Sequence, residues 1–200
     1  MLEYVVTNWM DVLGTLLGFL YIYLEFKENA WMWVVGSVMP VIYFVVLYKS
    51  GVYGDCATEV YAFCAGLYGL YVWLSGKRRT GVDVPITRTP VRTRYILIGL
   101  TLLLWAVITT LLKHTDSTVA YIDGLSTAFY LVALWMLAKK YIEQWWVWLA
   151  CDAISTGLYI YKGVYGRALL YGIYTMLAVY GYFVWKRKMV VPKAERHLSL

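Results

Sequence analysis

Residues 31–48 read WMWVVGSVMPVIYFVVLY, eighteen positions without a charge. A helix of that length rises about 27 Å, close to the ~30 Å hydrocarbon core of a bilayer. Working outward, comparably apolar runs recur at 5–24, 56–74, 95–112, 119–138, 145–161 and 167–185, which predicts seven transmembrane spans. Unbroken runs of this length predict helices, because barrel strands would alternate over about ten residues. Helices also satisfy their own backbone hydrogen bonds in lipid.

The rest of the composition agrees. Of the 200 residues, 62% are hydrophobic and 15% charged, with mean hydropathy +0.61. Soluble domains are nearer a quarter charged. Twenty Tyr and ten Trp suit membrane interfaces, or a site for a flat ligand. The formal charge of +6 does not predict nucleic-acid binding, since Lys and Arg lie in loops and the tail. Cys56, Cys64 and Cys151 fall in apolar runs without ligand spacing and are expected to pack as small hydrophobes. His114 and His197 are isolated, so neither a metal centre nor a cofactor is expected. The sequence has no Walker-type loop and no readable nucleophile-plus-base arrangement, which argues against ATP coupling and against an enzyme. A basic n-region is lacking, so the first span is expected to act as the insertion signal.

Orientation follows from the basic residues. Lys49, Lys113, Lys162 and Arg167 fall on one side, and the other fourteen of the eighteen Lys and Arg on the opposite side. The positive-inside rule then predicts an outer N-terminus and a cytoplasmic C-terminus.

The chain repeats itself at a constant offset of 112 residues. Asp11-Val12-Leu13-Gly14-Thr15 pairs with Asp123-Gly124-Leu125-Ser126-Thr127, Lys27 with Lys139, and Trp33 with Trp145. Gly51-Val52-Tyr53-Gly54 recurs as Gly163-Val164-Tyr165-Gly166, and Tyr68-Gly69-x-x-Val72-Trp73 as Tyr180-Gly181-x-x-Val184-Trp185. Such periodicity predicts two structural repeats. Three spans bring the chain inside and a fourth returns it, so the repeats are parallel. The expected plan is 1–75 as the first three-helix repeat, 76–94 as a cytoplasmic linker, 95–112 as a central connecting helix, 113–186 as the second repeat and 187–200 as a basic cytoplasmic tail. Parallel-repeat transporters place their substrate between the repeats near mid-bilayer. A duplicated bundle that transports nothing is the alternative.

The repeated G-V-Y-G and Y-G-x-x-V-W elements stand with Glu143-x-Trp145-x-x-Trp148-x-x-x-Asp152, Tyr161-Lys162-Gly163-x-Tyr165, Leu170-Tyr171 and Gly181-Tyr182-x-x-Trp185. Together they resemble the Pnu family of bacterial vitamin transporters, from about Asp11 to Trp185. The resemblance implies an all-α, seven-helix, 3+1+3 fold similar to SWEET sugar carriers, a homotrimer, and residence in the bacterial inner membrane. It also implies facilitated diffusion of an unphosphorylated vitamin, trapped by a cytoplasmic kinase. The best-known branch carries nicotinamide riboside; a thiamine branch shares the scaffold. Glu59 stands where the family commonly has Gln, and Asp152 where some relatives have an amide.

Trp145, Trp148 and Asp152, at i, i+3 and i+7, share one helix face. A mid-bilayer carboxylate costs several kcal/mol unless it meets water, a partner or a ligand. Aromatic faces attract a pyridinium, and a carboxylate neutralises it or accepts from ribose hydroxyls. Asp152 is therefore expected to form the substrate site, against the alternative of a structural hydrogen bond. Trp148 is assigned with it. Trp145 is either a site residue or an aromatic-belt anchor, and Trp146 points to lipid. Glu59 either meets the vitamin cation or is a carboxylate near a helix N-terminus. Asp11 and Asp123 are expected to cap helices or pack at interfaces. Pro40, with Gly36 one turn before it, predicts a kink suited to a hinge. Ser155, Thr156 and Gly157 let a neighbouring helix approach, with the Thr156 hydroxyl and Tyr159 in reach of a ligand. The Tyr-Gly pairs at 68–69 and 180–181 are expected to pack helices.

Overall fold

The structure is a computed structural model that describes residues 9–49, 53–81, 83–114 and 119–190. The chain forms two compact units, Met1–Val84 and Pro85–Leu200. The central helix therefore belongs to the second unit rather than standing apart.

In the first unit, α1 (Trp9–Phe26) packs on α2 (Trp31–Gly36), and α2 and α3 (Val38–Lys49) both pack on α4 (Tyr53–Thr80). Positions 5–8 of the expected first span lie outside the described residues. The α2–α3 pair is one span broken at Ser37. Pro40 has no N–H to offer the Gly36 carbonyl, so the ladder lapses there. Ser37 closes the turn before the break: its amide donates to the Trp33 and Val34 carbonyls at 3.1 and 3.2 Å, and its hydroxyl to the Trp33 carbonyl at 2.7 Å. The kink expected from Pro40 and Gly36 is thus a full interruption.

The polar segment expected as a linker over 76–94 is shorter than its composition suggests. Helix α4 continues through Lys77, Arg78 and Arg79 to Thr80, and α5 starts at Val91. Three cations complement the negative end of the α4 dipole, and the helix stops only where Gly81 takes φ +67. The expected tail is shortened likewise, because Arg187 and Lys188 lie in the last turn of the final helix. Residues 191–200 lie outside the described residues.

The second unit is a sequential bundle of α5 (Val91–Leu112), α6 (Ala120–Ala138), α7 (Gln144–Tyr161) and α8 (Tyr165–Val190), each packed on the next. A clasp fixes the start of α5 to the α6–α7 turn. Thr87 N–H donates to the Lys140 carbonyl at 3.1 Å, and Ile142 N–H to the Thr87 carbonyl at 3.0 Å. Glu143 accepts from the Thr89 amide and hydroxyl, both at 2.8 Å, and pairs with Arg94 at 3.0 Å. Arg94 also donates to the Thr89 carbonyl at 3.0 Å. At the opposite end of α6, Lys162 meets Asp123 at 3.5 Å.

Counting α2 and α3 as one, the described residues form seven helical segments. Four are long and apolar enough to cross a membrane by composition: Trp31–Lys49, Val91–Leu112, Ala120–Ala138 and Tyr165–Met189. Their outward faces are apolar, with Leu103 61%, Leu169 68% and Met176 73% exposed. A soluble protein would not present that much oil to water.

The offset of 112 reappears in the side chains. Trp33 meets Trp73 edge-on at 5.7 Å and 86°; Trp145 meets Trp185 at 5.5 Å and 90°. All four rings are buried. Each pair closes over a glycine: a Cβ on Gly69 would lie 2.4 Å from the Trp33 ring, and one on Gly181 2.5 Å from the Trp145 ring. The chain turns after α1 and α6 match as well. Glu28 (φ 55) and Lys140 (φ 52) both adopt the left-handed conformation. Asn29 N–H donates to the Leu24 carbonyl at 2.9 Å and Tyr141 N–H to the Met136 carbonyl at 3.1 Å, the wide-loop bond of a Schellman ending. A side chain at such a position costs about 1 kcal/mol, so finding two at matched places ties the turn to the fold.

Gly69→Ala and Gly181→Ala should each destabilise the protein by about 1–3 kcal/mol through overpacking against an indole, read as a lower Tm in detergent. Gly157→Ala, where a Cβ meets nothing within 4 Å, should be neutral or slightly stabilising.

Candidate functional site

The site is built on the seam between α6, α7 and α8. Small polar residues bring α6 and α7 together. Ser126 and Ser155 share a hydroxyl–hydroxyl hydrogen bond at 3.0 Å, and the Cys151 thiol donates to the Ser126 carbonyl at 3.4 Å. Such residues let backbones approach where the hydrophobic effect gives no help.

Asp152 follows Cys151 and is 7% exposed. Among the described residues no hydrogen bond or ion pair meets its carboxylate; only its main-chain carbonyl is engaged, by the Thr156 hydroxyl at 2.7 Å. The structural hydrogen bond to another helix that the sequence left as the alternative is not formed among the described residues. A buried carboxylate left charged and unpaired costs several kcal/mol, and no described side chain bonds to this one.

Around it stand tyrosines. Tyr171 and Tyr174 of α8 lie within electrostatic reach of the carboxylate. Tyr171 stacks on Tyr159 at 5.3 Å and 20°, and meets Tyr174 edge-on at 5.9 Å. The result is an aromatic ladder running from Asp152 toward the α7–α8 turn, where the Arg167 guanidinium lies over Tyr159 at 5.7 Å. Trp148, one turn before Asp152, meets Tyr130 of α6 edge-on at 5.8 Å, and its buried Nε1–H has no hydrogen-bond partner among the described residues. A carboxylate, electron-rich ring faces and a spare N–H donor together suit a flat cation that carries hydroxyl groups.

Several expected residues are placed elsewhere. Trp145 is neither on the aromatic ladder nor in a surface belt: it is buried against Gly181 and Trp185 and holds α7 to α8. The Thr156 hydroxyl is committed to its own helix, and its methyl faces Gly172 of α8. Trp146 is 47% exposed beside Tyr182 at 4.8 Å, as an outward-facing belt residue would be. Asp123 pairs with Lys162 instead of capping α6, where no side-chain cap bond forms. The Asp11 side chain lies outside the described residues. Glu59 is half-buried on α4 in the first unit, as are the helix interruption at Gly36 and buried Pro40. Tyr171 and Tyr174, near Asp152, and Tyr130, against Trp148, were not among the expected residues. Only Tyr171 carried a signal, as part of the Leu170-Tyr171 motif.

Long apolar helices around a sequestered, unpartnered carboxylate define a multi-pass membrane protein. The chain belongs to the nicotinamide mononucleotide transporter family, whose model matches residues 8–187. It is 20% identical to the nicotinamide riboside transporter PnuC of Escherichia coli (strain K12), covering 89% of this chain and 85% of that protein. It is 23% identical to the protein of the same name from Haemophilus influenzae, covering 90% and 80%. A crystal structure of the vitamin B3 transporter PnuC shares the fold, with TM-score 0.71 at 19% identity over 94% of this chain and 86% of that one.

Because the Asp152 carboxylate has no partner to lose, Asp152→Asn should leave Tm unchanged or raise it by a few degrees. Ser126→Ala, which strands Ser155 in the α6–α7 seam, should lower stability by about 1 kcal/mol. Thermal unfolding in one detergent compares the two.

Proposed function

We propose that the chain carries nicotinamide riboside into the cell by facilitated diffusion, with Asp152 receiving the pyridinium. The observation behind this is the buried carboxylate without a protein partner, flanked by Trp148 and the Tyr159–Tyr171–Tyr174 ladder. Charge favours the riboside over the mononucleotide named in the family model. The riboside is a monocation, whereas a 5′-phosphate adds about −1.5 to −2 at pH 7. That group would bring net negative charge to a site already holding a carboxylate. Phosphorylation in the cytoplasm would then trap the product without any energy source in the carrier.

The architecture that goes with this reading is a 3+1+3 arrangement of seven spans. The matched Trp–Trp–Gly clasps and Schellman turns at the 112-residue offset support it. The interruption at Gly36–Ser37 serves as a hinge for alternating access. The Glu143–Thr89–Arg94 end of the second unit faces the cytoplasm and the Asp123–Lys162 end faces outward, in line with the basic-residue count.

Purified protein in liposomes loaded with unlabelled nicotinamide riboside should show saturable counterflow of the labelled compound. The mononucleotide should compete poorly. Asp152→Ala should lower exchange by about ten- to a hundredfold, the worth of one charged contact, while inserting normally. Counterflow with thiamine alone would reassign the substrate; exchange unchanged by Asp152→Ala would remove that residue from the site.

A further inference from the structure

The aromatic ladder already holds a cation. Arg167, the third residue of α8, places its guanidinium 5.7 Å from the Tyr159 ring centre. Tyr159 lies seven residues beyond Asp152, about 10 Å along the helix axis, and stacks on Tyr171, which is within electrostatic reach of both Asp152 and Arg167. The neighbouring loop cation, Lys162, is paired with Asp123 at 3.5 Å. A guanidinium thus sits on the ring farthest from the carboxylate, where the ladder meets the α7–α8 turn.

We infer that Arg167 is a specificity-determining residue that competes with cationic substrates for the Tyr159 face at the mouth of the site. This deepens the reading above and rests on it. A flat cation approaching Asp152 along the ladder meets Tyr159 first, and the same ring face cannot serve two cations. The incoming ligand must displace the guanidinium and is repelled by it until it does. Deeper in, the buried carboxylate outweighs that repulsion, because attraction is screened least where water is excluded. Weakly attracted cations are turned away at the mouth, and only those that complete the contacts at Asp152 gain enough to pass. A neutral ligand of the same shape lacks the repulsion and gains nothing from its removal.

The test measures counterflow KM for nicotinamide riboside and for its reduced, uncharged dihydropyridine form, at low and at high salt. Arg167→Gln should lower KM for the cation by about two- to fivefold, the worth of an exposed cation–π contact, and leave KM for the neutral form in place. Salt should lower the cation's KM in the unmodified protein and do so much less in Arg167→Gln. Arg167→Lys should restore the unmodified behaviour. Equal shifts for both ligands would mean that Arg167 only shapes the turn, and an unchanged or higher KM for the cation would also overturn the inference. If the unmodified protein exchanges neither ligand, the carrier reading fails and takes this inference with it. Exchange by the unmodified protein with no effect of Arg167→Gln sinks the inference alone.

Discussion

Helices in a bilayer gain nothing by hiding oil from oil, so the bundle depends on tight steric fits. The fit that recurs is an indole lying flat against a glycine, closed by a second indole edge-on: Trp33 on Gly69 with Trp73, and Trp145 on Gly181 with Trp185. Only glycine allows this approach, since any Cβ would enter the ring. The second clasp has a consequence for chemistry. It locks α7 to α8 two turns before Asp152, and so fixes which α8 tyrosines stand beside the carboxylate. An unpaired carboxyl group is tolerable there because the scaffold holding it is over-determined elsewhere.

The two units share their clasps and turns but differ in what they carry. At the 112-residue offset, Pro40 stands opposite Asp152 and Gly36 opposite Trp148. Tyr21, whose ring lies against Gly36, stands opposite fully buried Ala133. Large stands for small at both positions of the pair. One unit has a broken helix where the other has a charge. The clasps and turns recur at the 112-residue offset, while the positions between them carry a helix break in one unit and a buried carboxylate in the other.

The helices and the matched clasps were legible because they are written in the chain direction. Apolar length gives spans, and a constant offset gives the repeat; Pro40 announces the break at Ser37. The end of α4 was misread because Lys77, Arg78 and Arg79 look like a loop by polarity, although cations at a helix C-terminus favour its continuation. Trp145 was misread for another reason. Its spacing to Asp152 correctly places both on one helical stripe, but a stripe as long as two turns can face different neighbours along its length. Glycine at 181 makes α8 the neighbour of Trp145, and no periodicity within α7 reveals that. The tyrosine ladder was missed in the same way, since it joins Tyr159 of α7 to Tyr171 and Tyr174 of α8 and exists only once the two are packed.

A carrier must also release what it binds, and the composition of the site bears on that requirement. A carboxylate saturated by protein hydrogen-bond donors would attract a cation weakly, whereas a fully desolvated ion pair would release it slowly. Asp152 instead has one charge and a surround of ring faces and hydroxyl-bearing side chains, with Thr156 turned back on its own helix. Ring faces attract a cation without orienting it strictly, each by only about 0.5–2 kcal/mol. On the proposed reading, affinity is spread over several weak contacts rather than gathered into one deep well.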